Sequence, residues 1–326
     1  MGPMENPRSL SQTTAAARRL IAAVENVIAG NTSVLESAAI CLLAEGNLLL
    51  EGVPGVGKTM LARAMARATG GTFRRIQGAP HLLPSDLTGV SIYEQERRQF
   101  IFVPGPIFAN VVLVDEINRM SPRTQSALLE PMEERQVTVE GVSRPLPKPF
   151  FLIATENPVE HHGTFPLPEG QLDRFTMAVS VDYPYPEDER AVVTRQLLRH
   201  PIEDLEPVLG TDEVVKHQQV VRRVHVSADV VDYAVAVVSA TRTHPATVLG
   251  ASPRAAVALT RCAQARAAVR GREFVLPDDV KVLAPAVLAH RLLSGPDARS
   301  SAVAGRDVVL QILERVPVPV GEARSA

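Results

Sequence analysis

Between Leu48 and Thr59 the chain reads LLLEGVPGVGKT. Three leucines, Leu48, Leu49 and Leu50, lead into a loop holding Gly52, Pro54, Gly55 and Gly57; Lys58 and Thr59 follow where the pattern turns helical, MLARAMARATG. Strand, glycine-rich loop and helix is the order in which backbone N–H groups and a helix N-terminus converge on one anion. The spacing fits G-x-x-x-x-G-K-[ST], the phosphate-loop pattern. In that chemistry the main chain from Gly52 through Val53, Pro54, Gly55, Val56 and Gly57 to Met60 wraps a polyphosphate. Lys58 reaches the β- and γ-phosphates as a point charge, and Thr59 offers its hydroxyl to Mg²⁺.

A second run, Val111-Val112-Leu113-Val114-Asp115-Glu116, is apolar enough for a fully buried parallel strand and ends in two acids. Open α/β sheets bind ligands at the carboxyl ends of their strands, so these acids belong in the crevice of the phosphate loop. There Asp115 holds Mg²⁺, through water, and Glu116 polarises the attacking water. Phe150 to Thr155 is a further buried strand, followed by Glu156-Asn157-Pro158. Asn157 is ordinarily a turn residue, but beside the acid-tipped strand its amide is placed to orient a water or touch the γ-phosphate.

The elements that must position these groups follow from periodicity. Residues 1–13 read as a loose leader, Ala15 to Val27 as a helix, and a helix capped by Thr32 or Ser33 runs to about Ala44. The connection Ile28-Ala29-Gly30-Asn31 is either a plain helix stop or the edge of an adenine pocket in which Ile28 lies against the base. Thr72 to Gln77 is a short strand interrupted by Arg74 and Arg75. Two β-rich runs, Leu87 to Tyr93 and Phe100 to Val103, flank a polar tip with Arg97 and Arg98 and form an inserted hairpin. Ser121 to Arg135 is a helix kinked at Pro131, and a second hairpin follows from Gln136. The adjacent His161 and His162 read as a loop feature rather than a metal site. A helix from Glu169 to Phe175 and a strand from Met177 to Val181 close the first domain, and Pro184 and Pro186 mark a hinge. Beyond it every segment has helical spacing and no strand pattern is evident. The expected division is a leader (1–13), an α/β core (14–184), a helical domain (185–320) and a frayed tail (321–326).

Composition limits the partners. With 326 residues, a net charge of -2 and a pI near 6.5, the chain has no electrostatic footprint for bulk binding to nucleic acid or an anionic membrane. No apolar run approaches the length of a bilayer span. Cys41 and Cys262 sit in Ala- and Leu-rich segments with neither zinc nor disulfide spacing, which points to the cytoplasm.

Taken together, EGVPGVGKT, LLPSDLTG, FVPGPIFAN, VDEINR, TQSALLEPMEERQVTVEG, ATENP, PLPEGQLDRF and GASPRA resemble the MoxR family of AAA+ ATPases. The resemblance implies a five-stranded parallel α/β/α core with two inserted hairpins, a small all-α lid, ATP at subunit junctions and assembly into rings, usually hexameric. By position, Asn157 matches the first sensor. Arg174 matches the arginine finger that one subunit inserts into its neighbour's site, and Arg254 the second sensor; whether Arg254 serves its own nucleotide or the next subunit's is open. The alternatives are a surface ion pair of Arg174 with Asp173 or another neighbour, and an exposed first-turn arginine for Arg254. Gly78, His81 and Pro131 depart from the family pattern without touching the phosphate or acid positions.

The function implied is Mg²⁺-dependent ATP hydrolysis that drives remodelling or maturation of a protein client, metal insertion included, often with a von Willebrand factor A-domain partner. A magnesium-chelatase-like motor subunit is the nearest rival. A nucleic-acid translocase is set against the near-neutral charge and the 4% aromatic content, and a non-hydrolysing scaffold against the presence of both Asp115 and Glu116.

Overall fold

The computed structural model describes residues 9–28, 30–96, 98–157, 163–196, 200–294 and 301–319. The readings of Arg97, of His161 and His162, and of the extreme termini fall outside these residues. Ser9 and Gln12 form a reciprocal capping box that starts α1, Leu10–Glu25, inside the stretch expected to be leader. Asn31, left-handed at φ 58°, precedes α2, Thr32–Leu43, so neither Thr32 nor Ser33 is the cap. The phosphate-loop unit follows as β1, Leu48–Glu51, and α3, Lys58–Ala68, and then β2, Phe73–Gln77. A short helix unseen in the periodicity, α4, Pro84–Thr88, leads into the first hairpin, β3, Gly89–Glu94, and β4, Gln99–Pro104.

The acid-tipped strand is β5, Val111–Asp115. After it the expected kinked helix is two helices, α5, Pro122–Ser126, and α6, Leu129–Glu134. The break lies ahead of Pro131, at the turn whose carbonyls the ring would strike. Pro131 then sits in the first turn of α6, where its missing N–H has no helical partner to lose. The second hairpin, β6, Gln136–Val139, and β7, Val142–Pro145, precedes β8, Phe151–Glu156. α7, Glu169–Leu172, and β9, Met177–Ser180, complete the sheet.

Beyond the hinge come α8, Pro186–Gln196, α9, Thr211–Val221, and α10, Ala228–Thr243, then β10, Thr247–Leu249. α11, Pro253–Val269, α12, Pro277–Leu288, β11, Leu293–Ser294, and α13, Ser301–Arg315, end the described chain. The β10–β11 pair corrects the all-helical expectation. Pairing this short has no sequence period and is imposed by the packing of α10 and α13 around it.

The five core strands are parallel and ordered β2-β5-β8-β1-β9. Alternate side chains feed two separate cores, which explains why the strands read as unbroken apolar runs. Leu48, Leu50, Leu113 and Ile153 face α1 to α3 and the C-terminal helices. Leu49, Val112, Val114 and Leu152 face Ile76, Met120, Leu128 and Val137. The C-terminal helices are tied together by Asp279, fully buried, whose carboxylate accepts from Arg266, from Arg272 at 2.6 and 2.7 Å, and from Leu276 N. They are tied to the sheet by Arg291. Its guanidinium, also buried, donates to the Asp173 carboxylate at 2.9 Å and to the carbonyls of Asp173, Phe175, Thr176 and Val287. No helix among the described residues is long and apolar enough to cross a membrane.

Candidate active site

At the carboxyl ends of the strands, the turn from β1 to α3 holds Gly55 and Gly57 at φ 87° and 90°, with open space where a Cβ would project. Glycine is needed there for the left-handed backbone, not for room. Lys58 folds back and donates to the Gly52 carbonyl. Burial pushes the pKa of its ammonium down, and the charges of Asp115 and Glu116 partly restore it. Ile28 is half-buried against the core that Val56 also joins, and the phosphate-loop residues from Gly52 to Met60 are partly or fully exposed.

Asp115 is the best-connected group of this end. Its Oδ1 accepts from Thr155 Oγ1 at 2.6 Å, and its Oδ2 lies 3.3 Å from Thr59 Oγ1. Thr155 in turn accepts from Glu116 N at 2.8 Å, so one hydroxyl on β8 sets the positions of both acids. Glu116 leaves the strand at φ 55°. That turn brings its carbonyl so close to Gly78 that any Cβ there would sit 2.1 Å from it, and Gly78 N donates to Asp115 O at 2.7 Å. The departure at Gly78 is therefore a packing requirement of the acid turn. Asn157 is buried just past β8, next to the acid-tipped strand. A hydroxyl and a carboxylate within hydrogen-bonding range, both hard oxygen donors, open to a phosphate cradle, fit a Mg²⁺ ion that takes its remaining ligands from water and phosphate.

Three residues to which sequence reasoning gave no role hold the acids. Arg75 donates to Asp115 Oδ2 from Nε at 3.1 Å and Nη2 at 2.7 Å, Gln77 Nε2 donates to Glu116 Oε2 at 2.8 Å, and Arg119 pairs with the same oxygen at 3.2 Å. Arg75 and Gln77 are two residues apart on β2 and so share a face. Two polar side chains on one face, at the end of a strand beside an acid-tipped one, were the available signal.

Arg174 and Arg254 are elsewhere. Asn47, which precedes β1, donates to the carbonyls of Arg174 and of Met132 on α6, placing the Arg174 segment and α6 at the amino ends of the strands. β1 spans four residues, so roughly 13 Å of strand separates this edge from the phosphate loop. Here Arg174 pairs with Glu133 at 3.4 Å and donates to Gly170 O. Arg254, in the first turn of α11, donates to the other oxygen of Glu133 and lies 3.6 Å from Asp173. The predicted site residues thus form two groups: Gly52 to Met60, Asp115, Glu116 and Asn157 at one end, and Arg174 with Arg254 at the other. A cleft of about 370 Å³ at the second end is lined by Arg135, Arg222 and Arg261 as well.

A parallel sheet in this order, with a phosphate loop and paired acids at its carboxyl edge, defines a phosphate-loop nucleoside triphosphatase. The model of the ATPase family associated with various cellular activities (AAA) matches residues 47–177, and that of the AAA lid domain matches residues 239–312. The uncharacterized protein YeaC of Bacillus subtilis is 47% identical over 91% of this chain and 93% of its own. Chaperone MoxR1 of Mycobacterium tuberculosis is 41% identical over 92% of this chain and 82% of its own, and protein MoxR of Methylorubrum extorquens 30% identical over 93% and 95%. A solved structure of a putative ATPase from Cytophaga hutchinsonii superposes with a TM-score of 0.87 at 35% identity, covering 95% of this chain and 97% of that one. The chain belongs to the MoxR family of AAA+ ATPases, and its activity is ATP hydrolysis.

Proposed function

We propose that this ATPase works as a ring, hexameric as the family resemblance implies, in which Arg174 and Arg254 of one subunit complete the phosphate site of the next, and that its cycle remodels a protein client. The observation that carries this reading is the separation of the two groups. Two arginines at the amino edge of the sheet are too far from their own phosphate loop to touch the nucleotide it binds, so they have work only at a neighbour's. In this reading Arg254 acts in trans beside Arg174.

Within each site Lys58 exchanges the Gly52 carbonyl for the β- and γ-phosphate oxygens. Glu116 polarises the attacking water, which Asn157 orients, and the neighbour's guanidiniums balance the charge that develops on the transferring group. Mg²⁺ held by Thr59 and Asp115 would neutralise charge on the β- and γ-oxygens. In this reading the core spans 14–184 and the lid 185–320, with Ile28 beside the adenine.

A protein client is favoured over nucleic acid by the first hairpin. It exposes Val90, Ile92, Tyr93, Phe100 and Val103, with Phe100 73% accessible and stacked edge-on against Tyr93. Apolar side chains exposed on both faces of the hairpin, Val90, Ile92 and Val103 on one and Tyr93 and Phe100 on the other, suit an apolar polypeptide better than a phosphate backbone. A von Willebrand factor A-domain partner and a metal-insertion role belong to the same reading, as does a cytoplasmic setting suited to two free, buried cysteines.

The test is turnover per protomer across a protein dilution series, with mass measured in parallel. Turnover that falls as the oligomer dissociates is expected. A monomer that hydrolyses ATP as fast as the oligomer overturns the proposal.

A further inference from the structure

The arginine edge holds a residue to which nothing above gives a role in hydrolysis. We infer that Glu133 is a positioning residue for hydrolysis at the neighbouring subunit: one carboxylate that bridges Arg174 and Arg254 and presents them as a pair. The inference rests on the proposal that these arginines act in trans.

Each oxygen of Glu133 serves a different guanidinium, Oε2 for Arg174 and Oε1 for Arg254. The two arginines come from different parts of the chain, the turn after α7 and the first turn of α11, and like charges at this range repel unless an anion lies between them. Asp173, the other carboxylate nearby, is committed elsewhere. It accepts from Ser252 Oγ at 2.9 and 3.1 Å and from Arg291 Nε at 2.9 Å, which anchors the lid, and its approach to Arg254 is longer at 3.6 Å. Among the described residues Glu133 is thus the only carboxylate that contacts both.

Its own position is fixed from the same helix. Glu130, one turn earlier on α6, accepts from Thr138 N at 2.9 Å and from Gln136 Nε2 at 3.2 Å, joining α6 to the second hairpin. Glu133 remains 32% exposed and lines the cleft of Arg135, Arg222 and Arg261, so an anion arriving from a neighbour reaches the bridged pair. A guanidinium carries five N–H donors in a fixed fork. Arg174 keeps Nε in an ion pair with Glu133 at 3.4 Å, without a hydrogen bond, and donates from Nη1 to Gly170 O, so N–H donors of its fork are left over for an incoming phosphate oxygen. The bridge therefore sets the direction of the donors without consuming them.

Glu133→Gln keeps the shape and removes the charge. Misplacing catalytic groups by about 1 Å costs on the order of 10²-fold, so kcat for ATP is expected to fall about 10- to 100-fold. KM is expected to hold, because the variant's own phosphate loop is intact. Glu133→Asp retains the charge but is one methylene too short to span both arginines, and it is expected to lose nearly as much; it also serves if the Gln variant does not fold.

The deciding measurement is subunit mixing. Lys58→Ala subunits cannot hydrolyse ATP but carry an intact arginine edge, so mixing them with Glu133→Gln subunits should raise turnover above the mean of the two alone. Arg174→Ala mixed with Lys58→Ala should do the same. Rescue of Arg174→Ala without rescue of Glu133→Gln overturns the role of Glu133 alone. Failure of both overturns the in-trans reading and this inference with it, and wild-type kcat in Glu133→Gln or Glu133→Asp overturns the bridge.

Discussion

The two ends of the central sheet differ in how they are made. The carboxyl end is built from main chain: a loop of six residues, Gly52 to Gly57, of the kind that cradles a phosphate, and the side chains that join it stand at the tips of adjacent strands. The amino end is built from charged side chains, Glu133, Asp173, Arg174, Arg254 and Arg291, drawn from four separate stretches of chain. A site made of backbone is fixed by local conformation. A site made of guanidiniums and carboxylates is fixed by what else packs around it, and its donors can be handed to another molecule.

If the comparison holds, damage at the two ends should separate. Arg174→Ala is expected to give the largest loss, about 10³- to 10⁵-fold in turnover, with ATP binding by the variant's own phosphate loop unchanged in a fluorescence titration. A parallel loss of binding would merge the two ends into one site. Glu116→Gln should lower turnover about 10²- to 10⁴-fold while ATP still binds, which single-turnover kinetics would resolve from a binding defect. Unchanged turnover would remove Glu116 from the chemistry.

Arg291→Ala tests whether the amino end depends on the lid. Losing this buried guanidinium strands Asp173 and several carbonyls, and denaturant unfolding should report a loss of about 3–5 kcal/mol. Arg291→Lys should recover little, because an ammonium cannot span the same acceptors. A loss under about 1 kcal/mol would mean the lid is anchored by something other than this residue.

The smallest effect concerns the carboxyl end. Glu51 and Glu156 are register partners at the tips of β1 and β8, and burial, with the neighbouring Glu51 charge, pushes the Glu156 carboxyl up to about 7. The folded state then holds a proton that the unfolded chain releases above its ordinary value of 4.5. Stability should therefore decline as pH rises from about 4.5 to about 7 and level off above that, a total on the order of 3 kcal/mol. Glu156→Gln should flatten that slope and be the more stable protein at pH 8. An unchanged slope in the variant would assign the effect to other groups.

The same contrast governs how much could be read in advance. The five core strands, the phosphate loop and both acids were legible because each is a contiguous run whose chemistry depends on its immediate neighbours. Pro131 was misread, since periodicity records a helix face but not the break at Ala127 and Leu128 that lets the ring sit in a first turn. The start of α1 was missed because Ser9 and Gln12 act as a cap through two hydrogen bonds, not through an apolar pattern. Arg75 and Gln77 belong to no motif, and only the pairing of β2 with β5 brings them within reach of the acids.

From its sequence alone the chain determines a phosphate-binding α/β core, because glycine spacing, a lysine and strand-tip acids act over distances of a few residues. The tertiary structure decides which end of the sheet Arg254 occupies, that it shares a carboxylate with Arg174, and that Arg291 holds the lid in place for both. Those contacts join residues from 41 to 121 positions apart in the chain, and no local rule of backbone or side chain specifies a meeting at that separation until the layers have packed.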